Sequence, residues 1–387
     1  MNYISFFLTA LSVIFLLLTP ACATDSALLH HSPEVYHLLN AMKKVGAVNF
    51  CGEPVPLEDT EVRERFEREF FLALDNKSQI ILWLKRANRY FPHIEQELKK
   101  NGLPDDLKFL TIAESALKPH ASSHKGAVGY WQFIEGTGIK YGMKINADAD
   151  ERRSFYASTG AAISYLKDLY NMFGSWTLAA AAYNMGEEGL RAEILMQKVN
   201  NYYRLYLSQE TQRYIFRILA AKIILSDPEI FGISIPGEDL YQPVNFDSLE
   251  ITIKQPVPLY LIAQAANTYF KVIKDLNPQI RNYYLPEGRH QIIVPQGAAA
   301  SFPERYEKLL AQWIAEKKER IYTVKKGENL SVIAARCNVP VKALMIWNGI
   351  NNGRKIAPGD KLFIFAPDCK PADSVSVKEE KNNAAIP

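Results

Sequence analysis

Ala113-Glu114-Ser115-Ala116-Leu117-Lys118-Pro119-His120-Ala121-Ser122-Ser123-His124-Lys125-Gly126-Ala127-Val128-Gly129-Tyr130-Trp131-Gln132-Phe133-Ile134 is the most informative run of the chain. Leu107, Leu110 and Leu117 stand at three- and four-residue helical steps around Glu114, so the spacing carries its carboxyl toward the interior, in the last turn of a helix that Pro119 terminates. A carboxyl set against apolar walls resists ionisation and stays available as a general acid near neutral pH. Gly126-Ala127-Val128-Gly129 lets a backbone approach a neighbour closely. Trp131-Gln132 adds a flat ring and an amide, which suit a sugar's face and its hydroxyl or acetamido groups. Each has a plainer reading when taken singly: a helical Glu is ordinarily solvated, and a lone Trp ordinarily belongs to the core.

Helical signals surround this run. Val62, Phe66, Phe70 and Leu74 recur every fourth position between Thr60 and Leu74, which predicts an amphipathic helix with a solvated Glu and Arg face. Further helices are expected over Ser78 to Tyr90 and His93 to Lys100, the latter closed by Asn101-Gly102 before Leu103-Pro104-Asp105 opens the next. Helix follows helix as far as Asp227-Pro228, including a tight-packing stretch Ala179-Ala180-Ala181-Ala182-Tyr183-Asn184-Met185-Gly186 and Glu210-Thr211-Gln212-Arg213-Tyr214. Residues 78–235 read as one compact all-α domain, preceded by a helical extension over 24–77.

After Pro236 the chain changes to short Ile, Val and Thr pieces broken by Pro and Gly, and it repeats itself. One ungapped shift lays Thr252 on Thr323, Lys254 on Lys325, Leu259 on Leu330, Asn267 on Asn338, Asn277 on Asn348 and Gly288 on Gly359. Each copy, 250–296 and 321–366, reads strand, helix, helix, strand. Between them, 302–320 is a charged amphipathic helix whose Tyr306, Leu309, Leu310, Trp313 and Ile314 suit a spacer that docks on a neighbour. The tail 367–387 lacks the apolar surface to fold and is expected to be disordered. The fold class is therefore mainly α, an all-α domain followed by small βααβ modules.

With 387 residues, 48% of them hydrophobic, the chain supports one sizeable core and one or two small modules. A formal charge of +3, spread without a basic stripe, argues against nucleic acid and suits an anionic polymer or membrane. Cys22, Cys51, Cys337 and Cys369 form no CxxC pair, and no HExxH pattern occurs. His120 and His124, beside Pro119 and without a third ligand, read as loop polar residues. Neither a metal nor a cofactor is implied, and no protein partner is revealed. Cys337 and Cys369 are placed to bridge across the last module in an oxidising compartment, with a buried thiol and an unrelated tail cysteine as the alternative.

At the N-terminus, Ile4 to Leu18 is apolar and ends before Ala21-Cys22-Ala23, which predicts a signal peptide over 1–23. Its lack of Lys or Arg leaves an uncleaved membrane anchor open, although it is short for a span of about 20 residues. Cys22 also stands where a lipoprotein cysteine does, with Thr19 and Pro20 departing from that pattern.

Glu114-Ser115, Gly126-Ala127-x-Gly129-x-x-Gln132, Ala182-Tyr183-Asn184-x-Gly186 and Glu210-Thr211-x-x-Tyr214, in this order, resemble the catalytic domain of the soluble lytic transglycosylase family, which implies a lysozyme-like fold. The front helices, with Arg86-Ala87-Asn88-Arg89-Tyr90-Phe91-Pro92, look like its membrane-bound lytic murein transglycosylase D subgroup. The resemblance implies that Glu114 first protonates the oxygen between N-acetylmuramic acid and N-acetylglucosamine, then takes the proton of the muramoyl C6 hydroxyl, leaving a 1,6-anhydro end. By the same resemblance Ser123, Gly129, Gln132, Tyr183, Asn184 and Tyr214 are substrate-site residues, with Tyr214 poised on Glu114. Glu135 departs from the family's usual Pro; a second carboxylate there would activate water if it faced the cleft, and a surface position is the other reading. Met185 and Glu188 also depart from the pattern.

The repeated segments resemble LysM modules, the second closely in Tyr322-Thr323-Val324-Lys325-Lys326-Gly327-Glu328-Asn329-Leu330 and in Asn348 with Pro358-Gly359-Asp360. This implies glycan binding through Gly327, Asn329, Leu330, Asn348, Gly359 and Asp360, with peptidoglycan strands as the partner. In the first copy Pro256 and Pro258 replace Gly327 and Asn329. Two rival readings stay open: a hydrolytic muramidase or chitinase on the same fold, and a wall-binding protein that does not cut.

Overall fold

The computed structural model describes residues 33–350, 356–366 and 369. The signal segment, the Cys22 question and the tail apart from Cys369 lie outside them. The described residues fall into two units, one ending at Val45 and carrying α1 (Pro33–Lys44), the other beginning at Gly46.

The second unit opens with a ribbon of β1 (Asn49–Phe50) and β2 (Glu53–Pro54). Then come α2 (Thr60–Asp75), α3 (Lys77–Lys100), α4 (Leu110–Ser115), α5 (Glu135–Lys140), α6 (Phe155–Phe173), α7 (Trp176–Met185), α8 (Glu187–Gln197) and α9 (Gln209–Ser226). Asp59 starts α2 by accepting from the Glu61 and Val62 amides. Val62, Phe66, Phe70 and Leu74 are buried, as their spacing predicts, and α2 packs on α9. The expectation of a solvated charged face fails at Glu69, which is buried because Arg213 of α9 meets it with two hydrogen bonds of 2.7 and 3.2 Å.

The two helices expected across 78–100 are one. Pro92 lies inside α3, where a proline typically costs about 3 kcal/mol. Ile80, Ala87, Phe91, Ile94 and Leu98 bury one continuous stripe on both sides of it, and that packing outweighs the missing hydrogen bond. At the centre, Ala179 to Ala182 of α7 are wholly buried, and their small side chains let α6, α8 and α9 approach.

The C-terminal part comprises two modules. In the first, β3 (Phe246–Ile253) pairs antiparallel with β6 (Gly288–Pro295), enclosing β4 (Val257–Pro258), α10 (Leu259–Ala265), α11 (Phe270–Leu276) and β5 (Tyr284–Leu285). The 302–320 helix, α12 (Phe302–Glu319), lies on α10 and puts Phe302, Tyr306 and Trp313 into that module's core. The second module has β7 (Ile321–Thr323), α13 (Leu330–Arg336), α14 (Val341–Trp347) and β8 (Lys361–Phe363), and Cys337 and Cys369 are disulfide-bonded within it. Among the described residues, no single helix is long and apolar enough to cross a membrane.

Candidate active site

Glu114 stands at the penultimate position of α4. The helix stops earlier than Pro119: Ala116 and Leu117 both turn left-handed, at φ 51° and 57°, and Arg86 Nη1 fixes the turn by donating to the Ala116 carbonyl at 3.0 Å. Such conformations are costly for non-glycine residues, on the order of 1 kcal/mol or more, and persist where surroundings enforce them. Next to Glu114, Ser115 is buried and its hydroxyl donates to the Tyr130 carbonyl at 2.7 Å, tying α4 to the glycine-rich loop.

That loop folds on itself. Gly129 N–H meets the Ala121 carbonyl, and the Gln132 amide nitrogen donates to the carbonyls of Gly129 (2.8 Å) and Ala121 (3.2 Å), with Gln132 left-handed at φ 50°. A Cβ on Gly129, at φ +84°, would lie 1.9 Å from the Arg152 carbonyl oxygen, so the backbone approach inferred from the glycines is a contact with Arg152. Trp131 corrects the sugar-platform expectation: it is wholly buried and donates to Thr159 Oγ1 at 3.0 Å, because its ring is needed as core beneath the loop. Ser123 sits at the exposed tip, its hydroxyl accepting from the Ala127 amide at 3.1 Å.

Two helices close on Glu114. Tyr214 of α9, almost fully buried, donates its phenolic hydrogen to Glu114 Oε1. From α7, Tyr183 is near enough for the Glu114 charge to oppose ionisation of its phenol, and it donates to the Trp131 carbonyl at 2.7 Å. Asn184 follows it, its amide oxygen accepting from Thr211 Oγ1 at 2.9 Å. Burial pushes the Glu114 carboxyl up to about 7, against the opposing pull of the Tyr214 hydrogen bond and the Arg217 charge. The residue keeps an open edge, being only half-buried. Burial, reinforced by the Glu114 charge, holds the Tyr214 phenol well above its ordinary value, so it is the donor in this pair.

Several participants were not picked out from the sequence. Arg217 lies 5.9 Å from the Tyr214 ring centroid and pairs with Glu210. Its helical spacing from Tyr214 and Glu210 was the available signal. Thr211 was visible only as part of the Glu210-Thr211-x-x-Tyr214 motif, without its bond to Asn184, and Arg152 carried no such signal, since these contacts join distant chain segments. Glu135 is exposed in the first turn of α5. A cavity of about 370 Å³ lined by Tyr90, Tyr130, Phe155, Tyr156 and Phe246 separates the helical part from the first module, and Glu114 is not among its lining residues.

In the second module, Gly327 (φ +85°) and Asn329 are exposed, Asn329 capping α13 by accepting from the Val332 amide at 3.0 Å, and half-buried Leu330 begins that helix. Asn348 is an internal staple: it donates to the Leu344 and Phe363 carbonyls and accepts from the Phe363 amide. Asn277 makes the same three bonds, to Ile273 and Ile293, in the first module. Gly359 (φ +93°) and Asp360 form a turn bound to Val324. The side chains of Asn348 and Asp360 are thus engaged by their own module.

The family described as transglycosylase SLT domain matches residues 91–204. The LysM domain family matches 322–365, and the family described as lytic transglycosylase MltD, LysM-like domain, matches 248–311. The membrane-bound lytic murein transglycosylase D of Escherichia coli (strain K12) is 31% identical over 334 residues, 82% of this chain and 72% of that protein. This chain belongs to the membrane-bound lytic murein transglycosylase D family.

A putative tributyltin chloride resistance protein of Alteromonas sp. (strain M-1) is 36% identical over 110 residues, 28% of this chain and 53% of that one. Among solved structures, an inactive mutant of the lytic transglycosylase Slt of Pseudomonas aeruginosa matches 41% of this chain and 26% of its own length, at 22% identity and a TM-score of 0.27. Membership in the murein transglycosylase D family accords with the mainly α fold, and in this chain the SLT match precedes the two LysM-type matches.

Proposed function

We propose that the chain cuts peptidoglycan glycan strands as a lytic transglycosylase, with Glu114 as acid and then base. The observation that carries this reading is a carboxyl pushed up by burial to about 7 while accepting a hydrogen bond from Tyr214. A group titrating near neutrality gives a proton to the leaving oxygen and takes one back at comparable cost. The bond cleaved lies between N-acetylmuramic acid and N-acetylglucosamine, and attack by the muramoyl C6 hydroxyl leaves the 1,6-anhydro end.

A single carboxylate suffices for that sequence, whereas hydrolysis by the usual route employs two. The carboxylate that acts on Glu114 is Glu210, which is paired with Arg217, while Glu135 is exposed. Both features support the anhydro-forming route. We assign Gln132 and Ser123 to the sugar near the cleaved bond, Asn184 to the acetamido or peptide side, and Gly129 and Tyr183 to the cleft wall. The edge of the second module formed by the exposed Gly327 and Asn329 and the half-buried Leu330 is assigned to the glycan, and Asn348, Gly359 and Asp360 to shaping that edge.

Export through residues 1–23 to the cell envelope belongs to the same proposal, with cleavage or lipidation at Cys22 distinguished by labelling with a radioactive fatty acid. The test of the chemistry is mass analysis of wall fragments released by the native and Glu114→Gln chains. Anhydro ends are expected from the native chain, with release lowered by about 10²–10⁴-fold in the variant. Fragments heavier by one water, or undiminished release by Glu114→Gln, overturn it.

A further inference from the structure

Besides the ring contact of Phe246 with Tyr156, the first module meets the catalytic part along a short hydrogen-bonded seam, and this seam leads to Glu114. Gln279 accepts from the Asp150 amide and Asp148 from the Arg281 amide, both at 2.8 Å, around an antiparallel bridge of Ala149 with Ile280. The side chains of Arg281 and Asn282 add bonds to the Asn146 carbonyl (3.1 Å) and the Asp148 carboxylate (2.7 Å). Asp150, buried at the end of this clamp, holds Arg152 by two bonds of 2.8 and 2.9 Å.

Arg152 in turn donates to the carbonyls of Gly126 (3.0 Å) and Phe133 (3.3 Å), the two ends of the glycine-rich loop, and its own carbonyl occupies the space beside Gly129. The same loop is bonded through Tyr130 to Ser115, the residue after Glu114. A loop with a left-handed Gln132 keeps its shape only where its surroundings over-determine it. The buried Asp150–Arg152 pair is that constraint on one side, and the first module fixes the position of Asp150.

We propose that the first module is a positioning element for the catalytic loop, with Gln279 to Asn282 setting the Asp150–Arg152 pair and the pair setting Gly126 to Phe133. The inference rests on the reading of Glu114 as the catalyst. It gives a module whose Pro256 and Pro258 replace two LysM residues a task that needs no sugar contact.

The test is a double-mutant cycle in the full chain, comparing Arg281→Ala with Asn282→Ala together, Asp150→Asn alone, and all three combined. The paired module variant is expected to lower kcat on isolated cell walls by about 3–30-fold, since small misplacements of positioned groups are costly. KM and sedimentation with the wall stay within about twofold, and amide exchange rises in 126–133. Because both sites act through one chain of contacts, the triple variant loses no more than Asp150→Asn does. Should Asp150→Asn fold poorly, Arg152→Lys replaces it.

Unchanged kcat in the module variant, losses that multiply, or a defect confined to KM and wall binding overturn the inference while leaving the catalytic reading intact. A native chain that releases no wall fragments overturns both.

Discussion

Tyr214 donates a hydrogen bond to Glu114 from a helix lying 100 residues further along the chain. The bond lowers the affinity of the carboxyl for its proton, whereas burial raises it, and burial is the larger effect. Tyr214→Phe removes the lowering influence and the donor that steadies the carboxylate in its basic step. We expect kcat to fall by about 10–100-fold and the alkaline limb of the pH profile to move upward. A measured profile whose limb moves downward contradicts this electrostatic arrangement.

The pH dependence follows from Glu114 having to start protonated. With its carboxyl near 7 in the folded chain, kcat/KM is expected to fall about tenfold per pH unit above that value. Arg217 opposes the rise, so Arg217→Gln is expected to move the fall to higher pH. Steady-state rates on soluble glycan fragments between pH 5 and 9 (a range of about 4 units) check both points.

Stability carries the same signature. The folded value of Glu114 exceeds its ordinary 4.5, so its contribution is intact below that value and is lost as pH rises through about 7. Glu114→Gln has no such loss. It is expected to exceed the native chain in unfolding free energy by on the order of 1–3 kcal/mol at about pH 8, with the difference shrinking toward pH 5. Denaturant melts at the two pH values measure it, and equal differences at both refute the assignment.

Gly129→Ala places a Cβ against backbone, 1.9 Å from the Arg152 carbonyl oxygen, at a φ that alanine disfavours. Neither atom is the end of a flexible side chain, so the loop must shift. A loss of about 2–4 kcal/mol of stability, with activity falling more than substrate binding, is expected from calorimetry and kinetics.

Much of this was legible in the chain itself. The four-residue recurrence of Val62, Phe66, Phe70 and Leu74 named the buried face of α2, and the ungapped repeat brought Asn277 and Asn348 to equivalent places, where they make the same three bonds. What escaped depended on partners distant in sequence. Glu69 is buried because Arg213 reaches it, Pro92 is tolerated because α3 packs on both sides of it, and Arg152 acts through carbonyls of a loop about 20 residues earlier. Trp131 and Asn348 had the right chemistry for sugar contact, but the fold uses one as core and the other as a staple.

By itself the sequence determined which groups are present and the local conformations they favour, because helical period, caps and glycine turns depend on near neighbours. Only the tertiary structure decided the protonation of Glu114. Its carboxyl titrates near 7 through desolvation by segments distant along the chain, opposed by Tyr214 and Arg217, and the cost of burying a charge depends on everything that surrounds it in space.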